Sequence, residues 1–278
     1  MPIPFNPGRR DAVTALAAGF ALAVRPVTAE TITTDTAGLA AAEFTIAVAG
    51  GAMPAYRAAP LGRGPFPVAL VVQEIFGVHE HIRDLCRRLA KEGWLAIAPE
   101  LSFREGDVAG MENIQEIIAK VISKVPDRQV MDDLDATVAA AAEHFGDTNR
   151  LAITGFCWGG RIVWLYAAHN PRVKAGAAWY GRLRSQTDDL HPTNPIDIVE
   201  ALSSPVLGLY GGADGGIPND TVEAMRAALS AAGKESEIVL YPDTPHGFLA
   251  DYRPSYRKDQ ADDGWKRMLD WFRKHGAG

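Results

Sequence analysis

The chain has 278 residues, 47% of them hydrophobic and 22% charged, with a formal net charge of −6. That length and apolar content suit one large α/β domain with a sizeable core. The acidic balance argues against a nucleic-acid partner, no apolar run reaches the length of a membrane-spanning helix, and two cysteines, Cys86 and Cys157, cannot make a disulfide framework.

Residues 1–29 read as a leader rather than as part of a domain. Arg9-Arg10 precede the weakly apolar stretch from Ala12 to Val24, and Val27-Thr28-Ala29 carries small residues where a signal peptidase would cut. The adjacent arginines resemble a twin-arginine export signal, with Asp11-Ala12-Val13 in place of the usual bulky apolar residues. The expectation is an exported, periplasmic protein. The alternative is an Ala-rich N-terminal helix on a cytoplasmic one.

The domain runs from residue 38 to 278. Glu43–Val48 and Met53–Ala58, separated by Gly50-Gly51, read as an antiparallel hairpin. Val68–Val72 and Trp94–Ala98 are continuous apolar runs, as expected of strands buried on both faces. Between them Ile82, Leu85, Cys86 and Leu89 recur at helical spacing, which makes Cys86 a small core residue. Residues 102–127 are the least regular, with Ile114, Ile117, Ile118, Val121 and Ile122 suggesting a short helix that caps the site. Leu134, Val138, Ala141 and Phe145 mark the face of the next helix. Strands follow at Arg150–Ile153, Ala175–Tyr180, Val206–Tyr210 and Glu237–Tyr241, and residues 182–195 form a polar, Pro-punctuated loop. Helix faces recur at Val222, Met225 and Leu229, and at Trp265, Met268, Leu269 and Phe272. Strands and helices alternate from residue 67 onward, which argues for an α/β fold with a mostly parallel central sheet and helices on both faces.

Thr154-Gly155-Phe156-Cys157-Trp158-Gly159-Gly160 lies between a strand and a helix. A Gly-x-Cys-x-Gly turn there is a nucleophile elbow, with glycines where a side chain would strike neighbouring backbone. The helix N-terminus favours a thiolate at Cys157 and an oxyanion beside it. In such sheets ligands gather at the carboxyl ends of the strands, and Glu74, Cys157, Asp214 and His246 all sit at such ends. Cys157 is the candidate nucleophile, His246 the group that takes and returns protons, and Asp214 the acid that fixes its tautomer. The backbone N–H groups of Trp158 and Ile75 are candidates for the oxyanion hole. A carboxylate such as Glu74 opposes thiolate formation, which points to a regulated nucleophile.

Together, Gln73-Glu74-Ile75-Phe76-Gly77-Val78, Gly155-Phe156-Cys157-Trp158-Gly159-Gly160, Gly211-Gly212-Ala213-Asp214 and His246-Gly247-Phe248 resemble the dienelactone hydrolase (carboxymethylenebutenolidase) family over residues 38–275. The resemblance implies an α/β-hydrolase fold, no cofactor, and hydrolysis of a small lactone or carboxylic ester through a thiol acyl-enzyme. It also implies that Glu74 is displaced when substrate binds and takes the proton of a thiol that is neutral at rest. The family's namesake grips a substrate carboxylate with two arginines. Residues 105–127 contain no Arg, and Ala250 occupies the position four after His246. Arg104 and Arg253 are the candidate replacements, and Trp179, Tyr180 and Phe248 are candidate pocket residues.

Two other readings exist. His79-Glu80-His81 alternates as a metal pair can, without a third ligand at sensible spacing. A non-catalytic binding protein on the same fold is the second. The expected partner is a small ester or lactone, with no nucleic acid, no stable membrane insertion, and a monomeric or small homo-oligomeric state.

Overall fold

The computed structural model describes residues 31–278; the leader expected at residues 1–29 lies outside them. Among these described residues eight strands form one sheet, β1 (Leu39–Val48), β2 (Gly51–Pro60), β3 (Phe66–Val72), β4 (Leu95–Pro99), β5 (Gly146–Phe156), β6 (Val173–Trp179), β7 (Val206–Gly211) and β8 (Glu237–Tyr241). Their spatial order is β1-β2-β4-β3-β5-β6-β7-β8. The hairpin β1–β2 is antiparallel and β2 joins β4 antiparallel, whereas every pairing from β4 to β8 is parallel.

Among the described residues six α-helices accompany the sheet: α1 (Glu80–Lys91), α2 (Ile114–Lys120), α3 (Asp127–Glu143), α4 (Trp158–His169), α5 (Asn219–Ala231) and α6 (Lys258–Lys274). Helix α1 packs on β2 and β4 and α6 on β6 and β7, while α3 and α4 touch each other and share β5 and β3. The chain steps from β3 outward to β4, then crosses back to β5 on the other side of β3. That reversal makes the carboxyl ends of β3 and β5 the switch point, where such sheets open a crevice.

The sheet is buried because its strands are apolar on both faces. Every residue from Val68 to Val72 and from Leu95 to Ala98 is fully buried, and each buried Val, Leu or Ile side chain contributes roughly 1.5–3 kcal/mol. Helix α1 directs Ile82, Leu85, Cys86 and Leu89 into this core as its spacing requires.

Two local expectations change. Phe145 does not continue the face of α3: the helix ends at Glu143, Phe145 takes φ 64° and is 61% exposed. A β-carbon at the next residue, Gly146, would lie 2.7 Å from the Ala141 carbonyl, so the chain turns sharply there into β5. The isoleucine-rich cap segment is divided into α2 and a separate 3₁₀ turn, Ile122–Lys124, and a further 3₁₀ segment, Pro195–Ala201, follows the polar loop. Among the described residues no helix is long and apolar enough to cross a membrane.

Candidate active site

Cys157 stands between β5 and α4 at φ 56°, ψ −111°, a conformation unusual for a residue with a side chain. Its N–H donates to the Trp179 carbonyl at 3.0 Å, which ties the elbow to the end of β6. The flanking glycines are required by close backbone approach. A β-carbon on Gly155 would lie 2.3 Å from the Gly159 carbonyl oxygen, and one on Gly159 would lie 2.5 Å from the carbonyl oxygens of both Val72 and Gln73. The elbow is therefore pressed against the end of β3, where Glu74 begins its loop. Trp158 opens α4, so its N–H has no acceptor within the helix.

His246 lies in the loop after β8. Its Nδ1 is 2.6 Å from Asp214 Oδ2, and Cys157 acts electrostatically on the same imidazole. Burial works against the imidazolium. The hydrogen bond to Asp214, with the charges of Cys157 and Asp214, outweighs it and leaves His246 pushed up to about 10. Asp214 is fixed in its turn by accepting from Gly216 N at 2.8 Å. The Tyr180 ring meets the imidazole edge-on at 5.0 Å, from a backbone with φ 39°.

Glu74 is 1% exposed. The Tyr252 hydroxyl donates to its Oε2 at 2.7 Å, and His79 Nε2 is 3.6 Å from the same oxygen. Burial raises this carboxyl, but the Arg253 charge and His79 overcome it and hold Glu74 well below the usual carboxylate range. The loop that carries Glu74 and Ile75 is pinned from β4. Gln73 Oε1 accepts from Leu101 N at 3.3 Å, and Glu100 Oε2 accepts from Val78 N at 2.7 Å. Ile75 packs in a small apolar cluster with Val108, Ile117, Val121 and Ile122, against which Trp158 also rests. The segment around α2 thus covers the two residues whose N–H groups are the oxyanion-hole candidates.

The remaining expected residues divide. Arg253 belongs to the site region, its guanidinium 4.4 Å from the Phe76 ring centroid and 5.1 Å from that of Tyr252, with its charge acting on Glu74. Arg104 does not. Its guanidinium forms a two-pronged pair with Asp133, at 2.7 and 2.9 Å, and donates to the Ala49 carbonyl. It lines an open groove of about 670 Å³ between the β1–β2 turn and α3, and Cys157 is not part of that groove. Tyr180 and Phe248 meet edge-on with ring centroids 5.3 Å apart, and the Tyr180 ring lies beside His246. Trp179 is fully buried, packs on Phe248 and Phe156, and leaves room only for a glycine at 264 on α6, so it is a core residue.

His79 and His81 face Glu74 and Asp251 respectively, and among the described residues no group of three or more His, Cys, Asp or Glu could hold a metal ion. Tyr252, which contacts Glu74 from 178 positions away, carries no motif that would single it out. Its position in the loop that follows His246 is the one available clue.

Comparison with known proteins agrees with this architecture. The model of the dienelactone hydrolase family matches residues 53–276. A Methylorubrum extorquens protein named "putative carboxymethylenebutenolidase" is 62% identical over 266 residues, covering 95% of this chain and 91% of its own. A Bradyrhizobium protein named "probable 2-oxo-3-(5-oxofuran-2-ylidene)propanoate lactonase" is 31% identical, with 81% and 90% covered. A crystal structure of a "putative dienelactone hydrolase" from Klebsiella pneumoniae superposes with TM-score 0.83 at 57% identity, covering 85% of this chain and 99% of that one. The chain belongs to the dienelactone hydrolase family and is a hydrolase of the α/β-hydrolase superfamily.

Proposed function

We propose that the chain hydrolyses a small lactone or carboxylic ester through a thiol acyl-enzyme on Cys157. The observation that carries this reading is the contact of His246 with Asp214 at 2.6 Å beside a cysteine held at φ 56° in a strand-to-helix elbow, whose charge acts on the same imidazole. The Cys157 sulfur attacks the carbonyl carbon, and the negative oxygen is received by the N–H groups of Trp158 and Ile75. The C–O bond breaks, and the leaving alkoxide takes a proton from His246; in a lactone it remains tethered to the acyl group. Water then attacks the thioester with His246 as base, the C–S bond breaks, and the thiolate returns. Asp214 holds the imidazole in orientation and steadies its charged form.

Glu74 is the acceptor that takes the thiol's proton when substrate arrives. A buried carboxylate kept ionised by Arg253 and His79 has the protonation state this role needs. Arg253 is the candidate contact for a carboxylate on the substrate. The lactone and butenolide names of the relatives support a lactone, and a hydrolysis screen over dienelactones, saturated lactones and aryl esters tests the reading. A kcat/KM for lactones well above that for aryl esters is expected; hydrolysis of neither would overturn it.

A further inference from the structure

The nucleophile, histidine, acid and oxyanion groups leave one buried cluster unused. It runs from Glu74 into α1. His79 and His81 stack with ring centroids 6.1 Å apart and planes 19° from parallel, and both meet the Tyr252 ring, at 5.2 and 5.1 Å. His81 Nδ1 is 3.4 Å from Asp251 Oδ1. The other Asp251 oxygen accepts from Arg88 at 2.5 Å, and Arg88 also donates to Asp84 at 2.6 Å. Asp251 is fully buried and Asp84 nearly so. Burying this many ionisable groups is costly unless each is paired in good geometry.

Three consecutive residues make the connection. Asp251 reaches α1, Tyr252 reaches Glu74, and Arg253 spreads over Phe76 and Tyr252. All three belong to the loop that begins with His246. The loop of the histidine and the loop of the glutamate are therefore joined at the carboxylate itself.

We propose that Tyr252 and His79 are positioning residues that park the Glu74 carboxylate away from the thiol, and that Asp251 fixes this parking site to α1. The inference rests on Glu74 being the proton acceptor of the reaction. A hydrogen bond from Tyr252 stabilises the charged carboxylate and also fixes where it points. Without that donor the carboxylate keeps its other neighbours, His79, His81, Arg253 and Tyr180, but its tether at Oε2 is weaker. It then spends more time beside Cys157, where its charge opposes the thiolate.

The test is the pH dependence of iodoacetamide alkylation of Cys157 in four proteins: wild type, Tyr252→Phe, Glu74→Gln and the double variant. Cys86 is fully buried and burial pushes its thiol up, so the signal belongs to Cys157. Phenylalanine keeps the ring against His79 and His81, so Tyr252→Phe tests the hydroxyl alone. Tyr252→Phe is expected to slow alkylation at pH 7 about threefold or more and to move its midpoint to higher pH. Glu74→Gln is expected to move the midpoint to lower pH, and the double variant is expected to match Glu74→Gln. If Glu74→Gln shifts the midpoint and Tyr252→Phe does not, the positioning role is wrong and the Glu74 role stands. A shift by Tyr252→Phe that persists in the double variant also overturns the positioning role, since it then acts without Glu74. If neither single variant shifts the midpoint, the Glu74 role fails and the positioning role falls with it. Should Tyr252→Phe not fold, His79→Gln is read against the same outcomes.

Discussion

The backbone N–H of Cys157 is bound to the carbonyl of Trp179, the last residue of β6, at 3.0 Å. That bond holds the elbow at its unusual φ, and it depends on α4 starting immediately beneath β3. Gly159 is what permits this approach. Gly159→Ala would drive a β-carbon to 2.5 Å from two carbonyl oxygens of β3 and its loop, which cannot move without disturbing the centre of the sheet. The expected loss is roughly 3 kcal/mol or more. Gly215→Ala is the control, since a β-carbon there meets nothing within 4 Å, and its change should stay within about 0.5 kcal/mol. Equilibrium urea unfolding of the two variants checks both values.

The two arginines should behave differently. Arg253→Gln is expected to raise KM for a carboxylate-bearing ester about tenfold more than for a neutral ester, because only the former loses a charged partner. Arg104→Gln is expected to leave both KM values unchanged and to lower Tm, since it breaks the pair with Asp133. Steady-state kinetics with a matched ester pair measures this; equal effects of Arg253→Gln on both esters would remove the carboxylate assignment.

His246 gives a pH signature whose sign follows from its raised value. An unfolded histidine titrates near pH ~6.5, whereas here the group is pushed up to about 10. The protonated form is thus favoured by folding. Its contribution is fully present below about pH 6.5 and is lost as pH rises toward 10. Asp214→Asn removes the acceptor that holds the imidazolium. The Tm gap between wild type and Asp214→Asn should therefore narrow by ~2 °C or more between pH 6 and pH 10. A constant gap would mean that His246 is not held charged by Asp214.

Export is a separate proposal, resting on Arg9-Arg10 and the small residues ending at Ala29. N-terminal sequencing of the protein recovered from its native host should begin near Glu30. A mature chain beginning at Met1 or Pro2 would contradict it.

Most of the sheet is legible in the sequence because Val68–Val72, Leu95–Ala98 and Val206–Tyr210 are apolar without alternation, as doubly covered strands must be. The elbow is legible for a sharper reason: Gly155 and Gly159 touch backbone, and no other residue fits. Phe145 was out of reach because its apolar character continues the period of α3, whereas its conformation is set by the turn into Gly146. Arg104 and Arg253 are alike as sequence. Only the fold shows that one is held by Asp133 and the other lies near Glu74. His79 and His81 alternate as metal ligands would, yet their partners, Glu74 and Asp251, come from separate loops. Contacts of that kind follow from tertiary packing and leave no local pattern.

The central claim is that Cys157 carries the acyl group. Rapid-quench mass spectrometry during turnover of an activated aryl ester tests it most directly. The account predicts a transient mass increase equal to the acyl group, located by digestion on the peptide containing Cys157 and absent from Cys157→Ala, which folds but does not turn over. Near wild-type kcat in Cys157→Ala, or an acyl group found on another residue, would contradict it.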